Sequence, residues 1–259
     1  MTVNIDDPAF VHPSAKIGKN VSIGRFSHIG PHVILLDNVT VMPNVYIDGH
    51  TTVEKGCILY PFASIGAPCQ DLKYRGERTF VKIGPHTTIR ESVTINSATG
   101  EDESTTVGSN CLVMAYSHVA HNCVVGDHVI MANGSTLAGH VSIGDYAIIG
   151  GLTAIHQFTR IGSYSIIGGC SKVVQDIPPF MMADGHPTKI HSINAIGLKR
   201  HGFSEQARKN IKKAYKIFFR SGLNTKHALE KISSELPSDS DEIRTFVSFI
   251  ENSTRGISK

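Results

Sequence analysis

Val107-Gly-Ser-Asn-Cys-Leu-Val113-Met-Ala-Tyr-Ser-His-Val119-Ala-His-Asn-Cys-Val-Val125 opens a stretch that keeps a beat of six as far as Val173. Stepping by six from Val125 meets Met131, Leu137, Ile143, Ile149, Ile155, Ile161 and Ile167, all apolar. Four residues after each stands a small or β-branched residue, among them Cys111, Ser117, Cys123, Ser135, Thr153, Thr159 and Ser171. Glycine often follows the aliphatic residue, as in Ile143-Gly144 and Ile161-Gly162. No helix keeps a period of six, and simple alternation would not place the glycines. A short fixed repeat marks a parallel β-helix, in which one repeat cannot bury its own apolar face and stacking closes the core.

The same register runs back to Val11. Of the 28 register positions from 11 to 173, only Asp71, Glu77 and Glu101 are not apolar. They fall in two polar stretches, about 67–80 and 97–106, which read as loops thrown out from the solenoid. Loops on a rigid scaffold are where binding groups gather. If three hexads complete a turn, residues 18 apart stack at the inter-strand spacing of about 4.8 Å.

The beat stops at Asp176-Ile-Pro-Pro179, where the prolines cannot donate to a ladder. The chain is thus expected to divide into a solenoid over 1–178 and a C-terminal helical domain over 179–259. Ser204 is placed to cap a helix running to Arg220, with further helices over 225–236 and 240–252. Ile211, Tyr215, Phe218, Ile243, Val247 and Ile250 recur at helical spacing and read as packing. From residue 179 onward there are 14 Lys+Arg against 8 Asp+Glu, and Lys199–Arg220 holds eight bases and one acid, Glu205. Such a balance suits an acidic partner. Nucleic acid is disfavoured, because no aromatic stacking platform accompanies the charge.

Apolar residues make up 41% of the chain but form no run long enough to cross a membrane, and the acidic first residues lack the order of a signal peptide. Five irregularly spaced cysteines make neither a disulfide framework nor a zinc ribbon. Cys57, Cys111 and Cys123 lie in the small-residue column, as buried thiols of a reducing cytoplasm.

His118-Val-Ala-His121-Asn122 interrupts an otherwise bland repeat. By the 18-residue rule His121, Gly139 and Gln157 form one column, Asn122 and His140 the next, and His156 lies over Ala138 and Ala120. Isolated histidines such as His32, His50, His86 and His128 read as solvated decoration; a convergent set points to chemistry. Imidazole titrates near neutral pH, and a glycine N–H beside it could hold a developing oxyanion, which together fit general-base acyl transfer. Zinc is the rival reading, although stacking puts no third histidine beside His118 and His121, and the nearest carboxylate, Asp71, must come from a loop. A trimeric scaffold is the non-enzymatic alternative; it predicts neither loops nor converging histidines.

Further motifs occur in order: Gln70-Asp-Leu-Lys-Tyr74, Ile89-Arg-Glu-Ser-Val-Thr-Ile95, His118-Val-Ala-His121, Leu137-Ala-Gly-His140, His156-Gln-Phe158, Gly168-Gly-Cys-Ser171, Gln175-Asp-Ile-Pro-Pro179, Gly197-Leu-Lys-Arg200 and Ser253-Thr-Arg-Gly256. Together they resemble the acyl-ACP–UDP-N-acetylglucosamine O-acyltransferases, which start lipid A biosynthesis. The resemblance implies a cytoplasmic homotrimer of left-handed β-helices with active sites in the clefts between neighbours. It also implies transfer of a 3-hydroxyacyl chain from acyl carrier protein, where it rides on the phosphopantetheine arm, to the glucosamine 3-OH of UDP-N-acetylglucosamine, with no metal or other cofactor. By matched position His121 would be the general base and the Gly139 N–H the oxyanion donor. Asp71, Lys73, His118, His140 and Gln157 would hold the sugar and phosphates, with His156 nearby. Asn194 and Arg200 would reach the nucleotide end, and Gly169 would measure acyl length. Asn122 stands where some members carry Asp, so carboxylate support for His121 is expected from elsewhere or not at all. Ile196 and His201 also depart from residues that some members carry beside this last motif. A sibling acyltransferase using an amine acceptor or a coenzyme A thioester is the competing enzymatic reading.

Overall fold

A computed structural model describes residues 3–259. Its dominant feature is a coil of two- to four-residue strands in three parallel sheets, each strand pairing with one three elements further along the chain. Three strands therefore make a turn. His118 lies opposite Thr136, Ile130 opposite Ile148 and Ser142 opposite Arg160, each 18 residues on. At the first extruded loop the partners are 30 apart (Ile58 with Thr88), and at the second 24 apart (Thr88 with Leu112). The excesses are whole multiples of six, which is why the beat crosses both loops unbroken.

The register column is the core. Ile23, Leu35, Ile47, Leu59, Ile83, Ile95, Val119, Leu137 and Ile149 are at most 1% exposed. The small-residue column fills the inside of each corner, where there is room only for a short side chain that can bond to the next coil. Ser117 Oγ donates to Ala132 O (3.1 Å) and Thr153 Oγ1 to Gly168 O (3.1 Å). Cys57, Cys111 and Cys123 do the same with Sγ toward Gly84, Gly126 and Ala138 carbonyls. Burial raises these thiols, Cys123 to about 12, so they stay protonated and inert.

The coil is left-handed, and its corners carry the left-handed backbone conformation. Asn110 (φ 54), Tyr116 (64), Asn122 (57), His140 (60) and Phe158 (63) all adopt it, although it is sterically costly for most residues with a Cβ. Cross-coil bonds sustain it: at each corner the strained residue donates its N–H to the preceding coil, as His140 to His121 O (3.0 Å) and Phe158 to Gly139 O (3.1 Å).

Truncating one core position should be costly because neighbouring coils cannot close over the void. Ile149→Ala is expected to lose about 2–5 kcal/mol in urea unfolding; a loss under about 1 kcal/mol would mean that this face is not tightly packed.

After Val173 the structure departs from an all-helical expectation. Met181–Gly185 and Thr188–Ile193 form an antiparallel hairpin that extends one of the sheets beside Ile166–Ile167. Alternate residues Met181, Ala183, Thr188 and Ile190 are buried, a period of two that was present in the sequence. Four helices follow: α1 (Ala195–Arg200), α2 (Glu205–Arg220), α3 (Thr225–Glu235) and α4 (Asp241–Glu251). Ser204 caps α2 by accepting from Ala207 N (3.0 Å), and Asn224 caps α3 by accepting from His227 N (2.9 Å). Ile211, Tyr215, Phe218, Ile243 and Ile250 are buried, Val247 is partly buried against the same core, and Phe246 completes the buried face of α4. The tail then returns to the solenoid: buried Asp176 accepts from Ser253 Oγ (2.7 Å) and Arg160 N (2.8 Å), and Arg255 donates to Val174 O. No helix among the described residues is long and apolar enough to cross a membrane.

Candidate active site

The prism has three edges, and the expected site residues divide among them. One edge carries His121, Gly139 and Gln157 in a column, with Asn122, His140 and Phe158 beside it. A second carries Gly151 and Gly169. The third carries Tyr146 and Tyr164, against which His201, just past the end of α1, packs edge-on at 4.9 and 5.5 Å. Asn194 and Arg200 begin and end α1 and belong to this third edge.

On the first edge the groups meet. The His121 ring lies against Gly139 so closely that a Cβ there would run into Nε2 and Cε1. Glycine is required here by the imidazole, with no positive φ involved. The Gly139 N–H has no partner among the described residues. His140 meets His121 edge-on at 5.1 Å and is itself stacked on Phe158 at 4.7 Å. His118 pairs through Nδ1 with Thr94 Oγ1 at 2.7 Å. Burial is the main cause lowering the pKa of both His118 and His140, and charge on His121 lowers it further. Both therefore favour the neutral form, which spares His121 two like charges when it takes up a proton.

Asn122 settles which nitrogen of His121 carries the proton. Its Nδ2 donates to Thr99 O (3.1 Å), so Oδ1 is the acceptor, and it takes the Thr99 N–H (3.0 Å). The second lone pair of Oδ1 faces His121 Nδ1 at 3.0 Å. Nδ1 must donate, which leaves the lone pair on Nε2. The carboxylate that sequence reading found wanting is on the other side: Asp71 Oδ2 lies 3.8 Å from Nε2, with the His121 side chain only 13% exposed. Asp71 is held by the Lys73 backbone N–H donating to Oδ1 (2.9 Å), while the Lys73 side chain is free in solvent.

The remaining residues are placed as follows. His156 donates Nδ1–H to the Gln157 carbonyl (3.1 Å), and both side chains are exposed on the first edge. Gly169 stacks on Gly151: a Cβ at 169 would sit 3.2 Å from Gly151 O. Asn194 caps α1, its Oδ1 accepting from Gly197 N (3.0 Å) and its Nδ2 donating to Tyr164 O (2.8 Å), so both amide groups are engaged within the fold. Arg200 is exposed. Sequence reading missed Thr94, Thr99 and Phe158. Phe158 follows from the 18-residue rule applied to His140; the Thr99 contact reaches Asn122 from a loop, where no periodicity applies.

Known proteins resemble this one along nearly the whole chain. Residues 176–258 match the family described as UDP-N-acetylglucosamine O-acyltransferase, domain 2, and residues 14–49 and 104–139 match the bacterial transferase hexapeptide family. The acyl-[acyl-carrier-protein]–UDP-N-acetylglucosamine O-acyltransferase of Thermodesulfovibrio yellowstonii is 48% identical over 98% of both chains. The Chlamydia pneumoniae protein of the same name is 50% identical over 99% of this chain and 92% of its own. Among solved structures, the UDP-N-acetylglucosamine acyltransferase of Bacteroides fragilis superposes with a TM-score of 0.95 at 43% identity, covering 98% of this chain and 99% of that one. The chain therefore belongs to the acyl-[acyl-carrier-protein]–UDP-N-acetylglucosamine O-acyltransferase family.

Proposed function

We propose that the protein transfers a 3-hydroxyacyl chain from the phosphopantetheine arm of acyl carrier protein to the glucosamine 3-OH of UDP-N-acetylglucosamine, the first step of lipid A biosynthesis. The observation that carries this reading is an imidazole with its tautomer locked, Nε2 free, a carboxylate nearby and an unpaired N–H alongside. His121 Nε2 takes the 3-OH proton as that oxygen attacks the thioester carbonyl. The Gly139 N–H receives the charge that develops on the carbonyl oxygen. Collapse breaks the C–S bond, and the departing thiolate takes the proton back from Nε2. Asp71 favours the imidazolium in between. No step calls for a metal.

Asp71, Lys73, His118, His140, His156 and Gln157 surround the acceptor. Gly169 and Arg200 lie on other edges of the same prism, so one chain alone does not assemble the full set. A homotrimer brings the edge of one copy against that of the next. There Arg200 meets the nucleotide, Asn194 contributes by anchoring the helix that carries it, and Gly169 bounds the far end of the acyl chain. We divide the labour at about residue 179: the solenoid performs the chemistry and the helical part receives the carrier protein. Its setting is the cytoplasm, where thiols such as Cys57 and Cys111 stay reduced.

The test is donor and acceptor dependence. Thiol release from 3-hydroxyacyl carrier protein should require UDP-N-acetylglucosamine, and the coenzyme A thioester should be a poor substitute. Equal rates with coenzyme A would favour a sibling transferase.

Helix α2 exposes Lys209, Lys212, Lys213 and Lys216 along one face, but Glu205 pairs with Lys209 (2.7 Å) and Glu235 with Lys213 (2.9 Å). Lys212 and Lys216 make no ion pair among the described residues. Reversing both to Glu should raise KM for the acyl carrier protein substrate roughly tenfold at low salt and flatten its salt dependence, leaving the sugar nucleotide KM unchanged. Equal changes in both would point to damage elsewhere.

A further inference from the structure

The two extruded loops are bound to each other at their feet: Ser97 N donates to Ala67 O (2.9 Å), Phe80 N to Glu103 O (2.9 Å), and Arg78 Nε to Asp102 Oδ1 (2.8 Å). Next to Arg78 a further side chain joins them. Glu77 Oε2 accepts from the Arg75 N–H of its own loop (2.7 Å), and Oε1 reaches across to the Thr99 hydroxyl and the Gly100 N–H (3.0 Å each). Those bonds, that from Gly100 first, hold the carboxyl down at about 2, so it is a full anion under all working conditions. Thr99 is also the residue whose backbone grips Asn122 through two hydrogen bonds, and Asn122 in turn grips His121 Nδ1. The continuous path is Glu77 to Thr99 to Asn122 to His121. On the near side, the same loop as Glu77 carries Asp71 to within 3.8 Å of Nε2.

We propose that Glu77 is a positioning residue for acyl transfer, joining the two loops so that Asn122 keeps the proton of His121 on Nδ1 and leaves Nε2 free to act. The inference rests on reading His121 as the base. A free neutral imidazole populates both tautomers, and only the Nδ1–H form can accept a proton at Nε2. If the Thr99 backbone drifts, Asn122 can rotate and the lock is lost. The feet of the loops do not depend on Glu77, so the fold should survive its removal.

The test combines turnover with the tautomer itself. In ¹⁵N-histidine-labelled enzyme, the His121 signals, assigned by their loss in His121→Ala, should show one Nδ1–H tautomer. Glu77→Ala should introduce a clear Nε2–H fraction and lower kcat about tenfold, the scale of one lost hydrogen bond. Glu77→Gln keeps the Oε1 acceptor and should recover most of the loss, in kcat and in tautomer alike; Glu77→Leu, which fills the space without an acceptor, gives the reading if the alanine variant does not fold. An unchanged tautomer in whichever of the alanine and leucine variants folds overturns the proposal, even if activity falls, because a general loosening would do that. Should His121→Ala itself turn over normally, the base assignment fails instead, and the tautomer comparison still stands on its own.

Discussion

His121→Ala is expected to lower kcat by at least about 10², the low end for losing a general base, while the protein still folds and trimerises. The imidazole is largely buried against Gly139 but lies outside the hydrophobic core, so its loss should be felt in chemistry more than in stability. KM for either substrate should move much less than kcat, since the base acts on the transition state. EDTA should leave the wild-type rate untouched. Near-normal turnover in the variant would remove the base, and a rate lost to EDTA and restored by zinc would put a metal in its place.

The second large effect concerns chain length. Gly169→Met is expected to shift donor preference several carbons shorter while keeping KM for the sugar nucleotide. Each methylene excluded from an apolar groove costs about 0.8 kcal/mol, roughly fourfold, so losing four of them lowers kcat/KM for the long donor by about two orders of magnitude. The other explanation for the glycines, a turn that demands positive φ, does not hold at this edge. The residues with φ near +57° are Leu152 and Cys170, each one place after the glycine. A Cβ at 169 would lie 3.2 Å from Gly151 O, tight enough to require a shift of a few tenths of an ångström. Gly169→Ala is the control and should keep the long-chain preference. Uniform slowing of Gly169→Met on every donor would mean that position 169 serves the backbone and does not measure the chain.

The solenoid was legible because its periodicity is enforced by physics at every coil. Ile or Val every six residues follows from a core with three faces, and the 18-residue stacking rule brought His121, Gly139, Gln157, Asn122 and His140 to one edge before any coordinates. The hairpin over 181–193 was obscured by the prolines and glycine around it, although its alternate burial is ordinary strand behaviour. At Gly139 the need to leave room for the ring of His121 was not legible, because it depends on where a neighbouring side chain points. Asn122 was read as a lost carboxylate. Its amide instead fixes the tautomer, and the carboxylate, Asp71, arrives from a loop at the opposite nitrogen. The bonds from Glu77 and Thr99 were invisible because residues of an irregular loop follow no repeat. Arg200 lies on α1, outside the repeat, so the stacking rule had no means of placing it.

Mixed assemblies of two variants test the proposed sharing of the site most directly. His121→Ala and Arg200→Ala fail on different edges of the prism. If each active site takes His121 from one copy and Arg200 from the next, equal mixing of the two variants before assembly restores both residues in about one site in four. At sugar nucleotide concentrations below KM, the mixture should therefore recover roughly a quarter of wild-type activity, although each variant alone is nearly inactive. A mixture no more active than the mean of its components would contradict it, placing both residues in a site made by one chain.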